Sequence, residues 1–388
     1  MRIIEIRENT IQLEGLLSNA TISFESHTVS LVAVITDQRR GGRPVVGFGF
    51  NSIGRFAQGG ILRERIIPRI MKSKPYDLLS DDGLKFNIDA VVYAAMKDEK
   101  PGGHGDRAGA VASLELALWD LNAKLLDEPA YQTIRGSFGL PQGGNSVPVY
   151  AAGGYYYAEN SPKRLTNELR SYQDLGYQSF KIKVGGLSLT RDLERIHSAI
   201  GVAGAAANIA IDANGSFQLD QAQEMANAIE PLGLLWYEEP CDPLDFSLNR
   251  IVAEGYNGKI ATGENLFSMI DTKNLIQFGG MRIDKDIFQM DPGLSYGLTE
   301  YGRMLGVLES SGYKRSQCYP HGGHLINLHV AAGLGLGGCE AYPGVFQPIG
   351  GYTDQCELVE GRISPSDAPG FGLEQKTNLY PYLQSIGK

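Results

Sequence analysis

Six side chains able to do chemistry recur at even spacing through one half of the chain. They are Lys183, Asp212, Glu238, Glu264, Asp291 and His321, separated by 29, 26, 26, 27 and 30 residues. Each ends a short apolar run, as in Ser-Phe-Lys181-Ile-Lys183, Ile-Ala-Ile-Asp212, Leu-Leu-Trp-Tyr-Glu238 and Ile-Phe-Gln-Met-Asp291. Asp212, Glu238 and Glu264 offer three hard oxygen donors without Cys or His, a set suited to Mg²⁺ or Mn²⁺. Three converging carboxylates repel, so a divalent cation also answers an electrostatic problem. Their competing role is salt bridging to Lys181 and Lys183. The two lysines are two residues apart and so point to one face of a strand. Close ammonium groups disfavour each other's charge, which predicts a lowered pKa and makes Lys183 a general base near neutrality. Asp291 and His321, at the ends of adjacent runs, predict a carboxylate that orients an imidazole. No Gly-x-Ser-x-Gly or Cys–His pattern points to a covalent nucleophile.

The spacing leaves room for one strand, one helix and two loops per unit. Short apolar runs alternating with helical patterns read as βα units and a parallel sheet. In a closed barrel of such units the strand ends meet on one face. Residues far apart in sequence then converge, whereas helix capping explains one such residue but not six. The barrel pattern begins at Val147 and ends with the run 339–346, which carries Glu340. Residues 1–54 read as a β-meander, and 61–71, 80–96 and 108–126 as helices, with a Gly-rich loop at 97–107. The last helix has Val111, Leu114, Leu118, Leu121 and Leu125 on one face, and Pro129 lies just beyond it. The expected division is an α+β domain over residues 1–144, joined by a tail from about 365 to 388, and a barrel over 145–364. Two linkers, 13–20 and 48–56, are either hairpin loops or flaps over a neighbouring site.

Composition narrows the partners. The chain has 388 residues, is 43% hydrophobic and carries a net charge of −9 without a basic run, which argues against nucleic acid. No long apolar segment suggests a membrane span, and the N-terminus lacks a signal-peptide core. Cys241, Cys318, Cys339 and Cys356 show no paired spacing and read as free thiols of a cytoplasmic protein. Gly333, Gly335 and Gly338 match a dinucleotide fingerprint. The strand-then-helix order it needs is reversed, so helix packing and a turn explain them better. His321, His324 and His329 lack the companions of a zinc site.

Taken together, Lys181-x-Lys183, Asp212-x-Asn214, Glu238-Glu239-Pro240, Gly263-Glu264-Asn265, Asp291 and His321 resemble the mandelate racemase subgroup of the enolase superfamily. The helix with Ala117-Leu-Trp-Asp120-Leu-Asn-Ala-Lys124 resembles the segment before the barrel in that family. The muconate-lactonising subgroup differs in having lysine where Asp291 stands. The resemblance implies an α+β capping domain over a (β/α)7β barrel, a Mg²⁺ cofactor with Mn²⁺ as substitute, and a symmetric homo-oligomer, often an octamer. It implies Lys183 as base, His321 with Asp291 as acid, and Lys181 and Asn214 as contacts to a substrate carboxylate. Glu340 stands where the family often places a substrate-binding or acid residue. Arg55 and Lys100, in capping-domain loops, are candidates to hold a distal carboxylate. Across the whole chain the likeness is to the family's tartrate-dehydrating members. That implies a dicarboxylate or acid-sugar substrate, first D-tartrate, converted to oxaloacetate and water. A 2-hydroxy-acid racemase or epimerase, or a dehydratase of another acid sugar, fits the same motifs.

Overall fold

The computed structural model describes residues 1–15, 17–157 and 162–388. Leu16, within the 13–20 linker, lies outside the described residues. The chain opens with an antiparallel sheet of β1 (Ile3–Gln12), β2 (Thr28–Arg40) and β3 (Arg43–Phe50), in the order β1-β2-β3. A helical stretch follows over 58–71, with a π-helical turn at Leu62–Ile66. Residues 80–96 are not one helix. The helix is Ile88–Ala95, N-capped by the Asn87 side chain, which accepts from the Ala90 N–H. Residues 79–86 instead close a turn, with Leu79 bridged to Phe86 and Gly83 at φ 69°. The Asp81-Asp82-Gly83 sequence favours that turn over helix, because Ser80 and Asp82 side chains bond nearby backbone.

The helix Asp106–Leu126 is the keel of this part, buried from Ala108 to Lys124. Its acidic side chains reach backbone on both sides. Asp120 accepts from the Phe48 N–H at 2.8 Å on β3 and from the Phe371 N–H at 2.7 Å in the C-terminal segment. Glu115 accepts from the N–H groups of Leu298 and Thr299, both at 2.9 Å, at the start of a barrel helix. A carboxylate at a helix N-terminus satisfies orphan donors and complements the dipole. The C-terminal helix Tyr380–Gly387 packs on the meander, and Arg7 donates to the Ile386 carbonyl.

From Val147 the chain forms the parallel barrel. Its strands are β4 (Val147–Gly153), β5 (Phe180–Lys183), β6 (Ile209–Asp212), β7 (Trp236–Glu238), β8 (Ile260–Thr262), β9 (Ile287–Phe288) and β10 (Cys339–Ala341). β4 to β9 pair in sequence and β10 returns to β4. Between β9 and β10, Cys318 bridges Phe288 in parallel and fills the remaining strand position. Helices from Pro162–Asp174 to Leu325–Leu334 link successive strands. This is the (β/α)7β barrel with a capping domain that the sequence led us to expect. The helix Leu325–Leu334 precedes β10, and Gly335 ends it at φ 66°, so the glycine motif is a helix stop followed by a strand. Among the described residues, no helix is long and apolar enough to cross a membrane.

The strand register places the chemistry. Lys183 on β5 lies beside Asp212 on β6, and Asp212 beside Glu238 on β7. Three of the six residues are therefore neighbours in one sheet row. The capping sheet must approach the keel helix closely, and glycine permits it. A Cβ on Gly49 would stand 2.4 Å from the Ala117 nitrogen and 2.5 Å from the Ser113 carbonyl oxygen. Helix backbone cannot yield as a flexible side chain does. We therefore expect Gly49→Ala to lower unfolding free energy by about 3 kcal/mol. Chemical denaturation with an unchanged slope would measure it, and wild-type stability would contradict the packing described.

Candidate active site

The carboxyl ends of the barrel strands carry a buried ionic cluster. Ligand oxygens of Asp212, Glu238 and Glu264 all lie within 4.8 Å of one another. Lys181 reaches Glu238 and Glu340, each at 2.7 Å, and Lys183 reaches Asp212 at 2.5 Å. Trp236 Nε1 and Gln289 Nε2 also donate to Glu238, at 2.9 and 2.8 Å. Glu264 ends its run two residues beyond β8 and lines a cavity of about 300 Å³. Salt bridging and convergence therefore hold together.

The electrostatics show what the cluster lacks. Burial, then Asp212, pushes the Glu238 carboxyl up to about 8, although Lys181 opposes the rise. Burial and Glu264 hold Glu239 well above the usual carboxylate range. Burial opposes ionisation of Asp212, yet Lys183 and Lys181 bring it below its ordinary value. The Asn214 Oδ1 atom is buried without a hydrogen-bond partner. Three convergent oxygens, two carboxyls resisting ionisation and an unpaired polar atom beside them fit a divalent cation.

The lysines correct one expectation. Burial opposes charge on Lys183, but Asp212 and Tyr155 outweigh both burial and Lys181, so its pKa lies above that of an ordinary lysine. Lys181 is likewise raised, with burial overcome by Glu238 and Glu340. Their mutual repulsion is present, but carboxylates from neighbouring strands exceed it.

His321 and Asp291 meet as expected, with Nδ1 3.1 Å from Oδ2. Asp291 also accepts from the Gly293 N–H at 2.7 Å and from Asn327 Nδ2 at 3.0 Å. On its other side His321 Nε2 lies 3.2 Å from the Tyr342 hydroxyl and 3.6 Å from Glu264 Oε2. Burial disfavours the charged ring, yet Glu264 and Asp291 together lift its pKa to about 9. Without a cation on Glu264, these carboxylates favour the doubly protonated imidazole.

Lys183, Asn214, Glu264 and His321 line the 300 Å³ cavity, and Arg55 reaches it from the capping domain. Arg55 Nη2 donates to Asn265 Oδ1 at 2.7 Å, and Asn265 Nδ2 donates to Glu239 at 2.9 Å. Asn19, Thr21, Ile22 and Phe24, with Ile53 and Gly54, from the two linker regions or just beyond, form part of the wall. Glu340 lies behind Lys181, accepting from the Gly322 N–H and from the Tyr342 hydroxyl at 3.0 Å. Lys100 is not brought here. It lines a separate groove between the helices Ile88–Ala95 and Leu298–Ser310, where Arg107 binds its carbonyl and anchors the loop to Tyr296. His329 is also elsewhere, pairing with the Tyr131 N–H, and burial lowers its pKa to about 3.

Sequence reading missed Tyr342, Gln289 and Trp236, and it named Asn265 in the Gly263-Glu264-Asn265 motif without giving it a role. Tyr342, Gln289 and Trp236 each stand two residues from a singled-out carboxylate, so strand parity was an available signal. The contacts of Asn265 could not be read there, since they depend on Arg55 arriving from another domain and on Glu239 from a neighbouring strand end.

Residues 164–378 match the family described as enolase C-terminal domain-like. Arabinonate dehydratase of Saccharolobus solfataricus is 28% identical over 284 residues, covering 72% of this chain and 73% of the relative. The fold is similar to that of a racemase from Streptomyces coelicolor with bound magnesium, at TM-score 0.78 and 21% identity, covering 100% of both chains. It is also similar to L-talarate/galactarate dehydratase from Salmonella typhimurium, liganded with Mg and L-lyxarohydroxamate. The TM-score there is 0.71 at 21% identity, with 95% of this chain and 88% of that chain covered.

Glu264 leads the influences that raise His321, so a cation on Glu264 must lower that pKa. In the metal-free protein we expect the His321 ring to titrate near 9, and lower when Mg²⁺ is added. Imidazole NMR shifts followed across pH would show this. An unmoved midpoint under saturating Mg²⁺ would remove Glu264 from the ligand set.

Proposed function

The chain belongs to the enolase C-terminal domain-like family, and on that premise we propose that it is a Mg²⁺-dependent acid-sugar dehydratase whose first substrate is D-tartrate. One observation carries the reading. A buried lysine and a histidine held by Asp291 line the same small cavity beside a three-carboxylate cluster. Asp212, Glu238 and Glu264 would hold the cation. When bound, it supplies positive charge against the negative charge that grows on the substrate carboxylate during proton loss.

The remaining chemistry belongs to the chain. With Asp212 engaged as a ligand, the largest attraction that raises Lys183 would be weakened, and Lys181 would disfavour a second ammonium beside it. Neutral Lys183 Nζ takes the α-proton. The C–H electrons pass toward the carboxylate to give an enolate, with Lys181 and Asn214 beside it. His321, held at Nδ1 by Asp291, delivers its Nε2 proton to the β-hydroxyl. The C–O bond breaks, water leaves and a C=C bond forms, so the enol of a 2-keto acid remains. Base and acid enter from β5 and from the Cys318 segment, with β10 and β4 between them, which suits anti elimination. Arg55 is the residue for a distal carboxylate, and the modest cavity favours a short diacid. The racemase fold relative keeps a second reading open, in which Lys183 and His321 exchange an α-proton without elimination.

The test is 2-keto acid formation with Mg²⁺ from a panel of acid sugars that includes every tartrate stereoisomer. We expect oxaloacetate from D-tartrate, lost on chelation and restored by Mg²⁺. Lys183→Ala should reduce turnover by roughly 10²- to 10⁴-fold. Product from another sugar alone would move the specificity and keep the mechanism. Solvent-deuterium exchange without keto acid across the panel would favour the racemase reading, and near wild-type turnover by the Lys183 variant would end the role assigned to it.

A further inference from the structure

The acid dyad is held from the capping domain as well as from the barrel. Ser52 follows β3, is fully buried, and stands between the backbones that carry Asp291 and His321. Its N–H donates to the Gly293 carbonyl at 3.1 Å, and the Gly293 N–H in turn donates to Asp291 Oδ1. A Cβ on Gly293 would stand 2.2 Å from Ser52 Oγ. A Cβ on Gly322, next to His321, would stand 2.9 Å from Ser52 Oγ and 2.6 Å from Asp291 Oδ2. Glycine at both positions lets the capping loop close against the dyad.

The second anchor is His324. Its Nε2 lies 2.6 Å from Ser52 Oγ. Its Nδ1 accepts from the Asn327 N–H at the start of the helix Leu325–Leu334, so the ring proton of the neutral imidazole is on Nε2 and is donated to Ser52. Asn327 completes the loop of contacts, since its side-chain amide donates to Asp291 Oδ1 and to the His321 carbonyl. The Ser52 segment is itself braced. Asn51 Nδ2 donates to the carbonyls of Ser52 and Arg55, at 3.0 and 3.1 Å. One rigid turn thus presents Arg55 to the cavity and Ser52 to the dyad.

We infer that Ser52, acting through His324 and Gly293, is a positioning residue for the Asp291–His321 pair, and that the Asn51–Arg55 turn ties recognition of the distal substrate group to placement of the acid. The inference rests on the dehydratase reading above. It assigns the capping loop a share in the elimination step and none in removal of the α-proton, which Lys183 performs from β5.

The two steps can be read separately. In deuterated water, exchange of the α-proton reports Lys183, and keto acid reports His321. Ser52→Ala should slow keto acid formation by about tenfold or more, with KM and α-proton exchange each changed less than about threefold. The ratio of exchange to product therefore rises. His324→Gln keeps a donor toward Ser52 and should hold the ratio near wild type, whereas His324→Leu should raise it as Ser52→Ala does. Equal loss of exchange and product in Ser52→Ala, or equal ratios in the two His324 variants, would overturn the positioning role. If Ser52→Ala does not fold, the His324 pair decides. Absence of keto acid from the wild-type protein across the panel counts against the dehydratase reading instead.

Discussion

The structure depends on an unbalanced concentration of buried charge at the barrel mouth. Asp212, Glu238, Glu239, Glu264, Asp291 and Glu340 face Lys181, Lys183 and His321 there, most of them shielded from water. Charges so placed are strongly coupled, because little solvent screens them. Burial and the neighbouring charges set each pKa together: burial and Asp212 raise Glu238, while Lys183 and Lys181 overcome burial to lower Asp212, and Glu264 and Asp291 overcome it to raise His321. Such a cluster is costly to stability unless further groups satisfy it. Trp236, Gln289, Asn265, Tyr342 and Asn327 supply hydrogen bonds, and the remaining negative charge is what a divalent cation meets.

Much of this was legible because the fold repeats. A (β/α)7β barrel delivers one side chain per unit to the same rim, so even spacing of Lys183 through His321 gave both the architecture and the converging set. In-register pairing of Lys183, Asp212 and Glu238 is the physical form of that regularity. The lysine and Lys100 expectations failed on contacts between units. The spacing of the lysine pair suggests a depressed pKa, but how closely the carboxylates of β6, β7 and β10 approach it depends on the assembled barrel. Lys100 was placed by its presence in a capping loop, but Arg107 and Tyr296 fix that loop over a different groove. The helix expected from residue 80 gave way to a turn, because side chains of Ser80 and Asp82 compete for the backbone.

The capping domain is more than a lid in this description. Its turn at Asn51–Arg55 touches both Asn265, which holds Glu239, and the support of the acid dyad. One short piece of chain therefore reaches both the cavity wall and the support of the Asp291–His321 pair.

The keel helix carries a consequence for the order of assembly. Asp120 joins the Phe48 backbone of the N-terminal sheet to the Phe371 backbone, and Arg7 on β1 binds the Ile386 carbonyl. During synthesis the meander and keel emerge before the barrel, yet their partners around residues 371–386 leave the ribosome only after the whole barrel has been made. The early segment must wait with part of its apolar surface uncovered, a state prone to wrong contacts. Closure of the cap is thus a late event that registers completion of the barrel, and the native state ties together the earliest and latest of these segments to be translated.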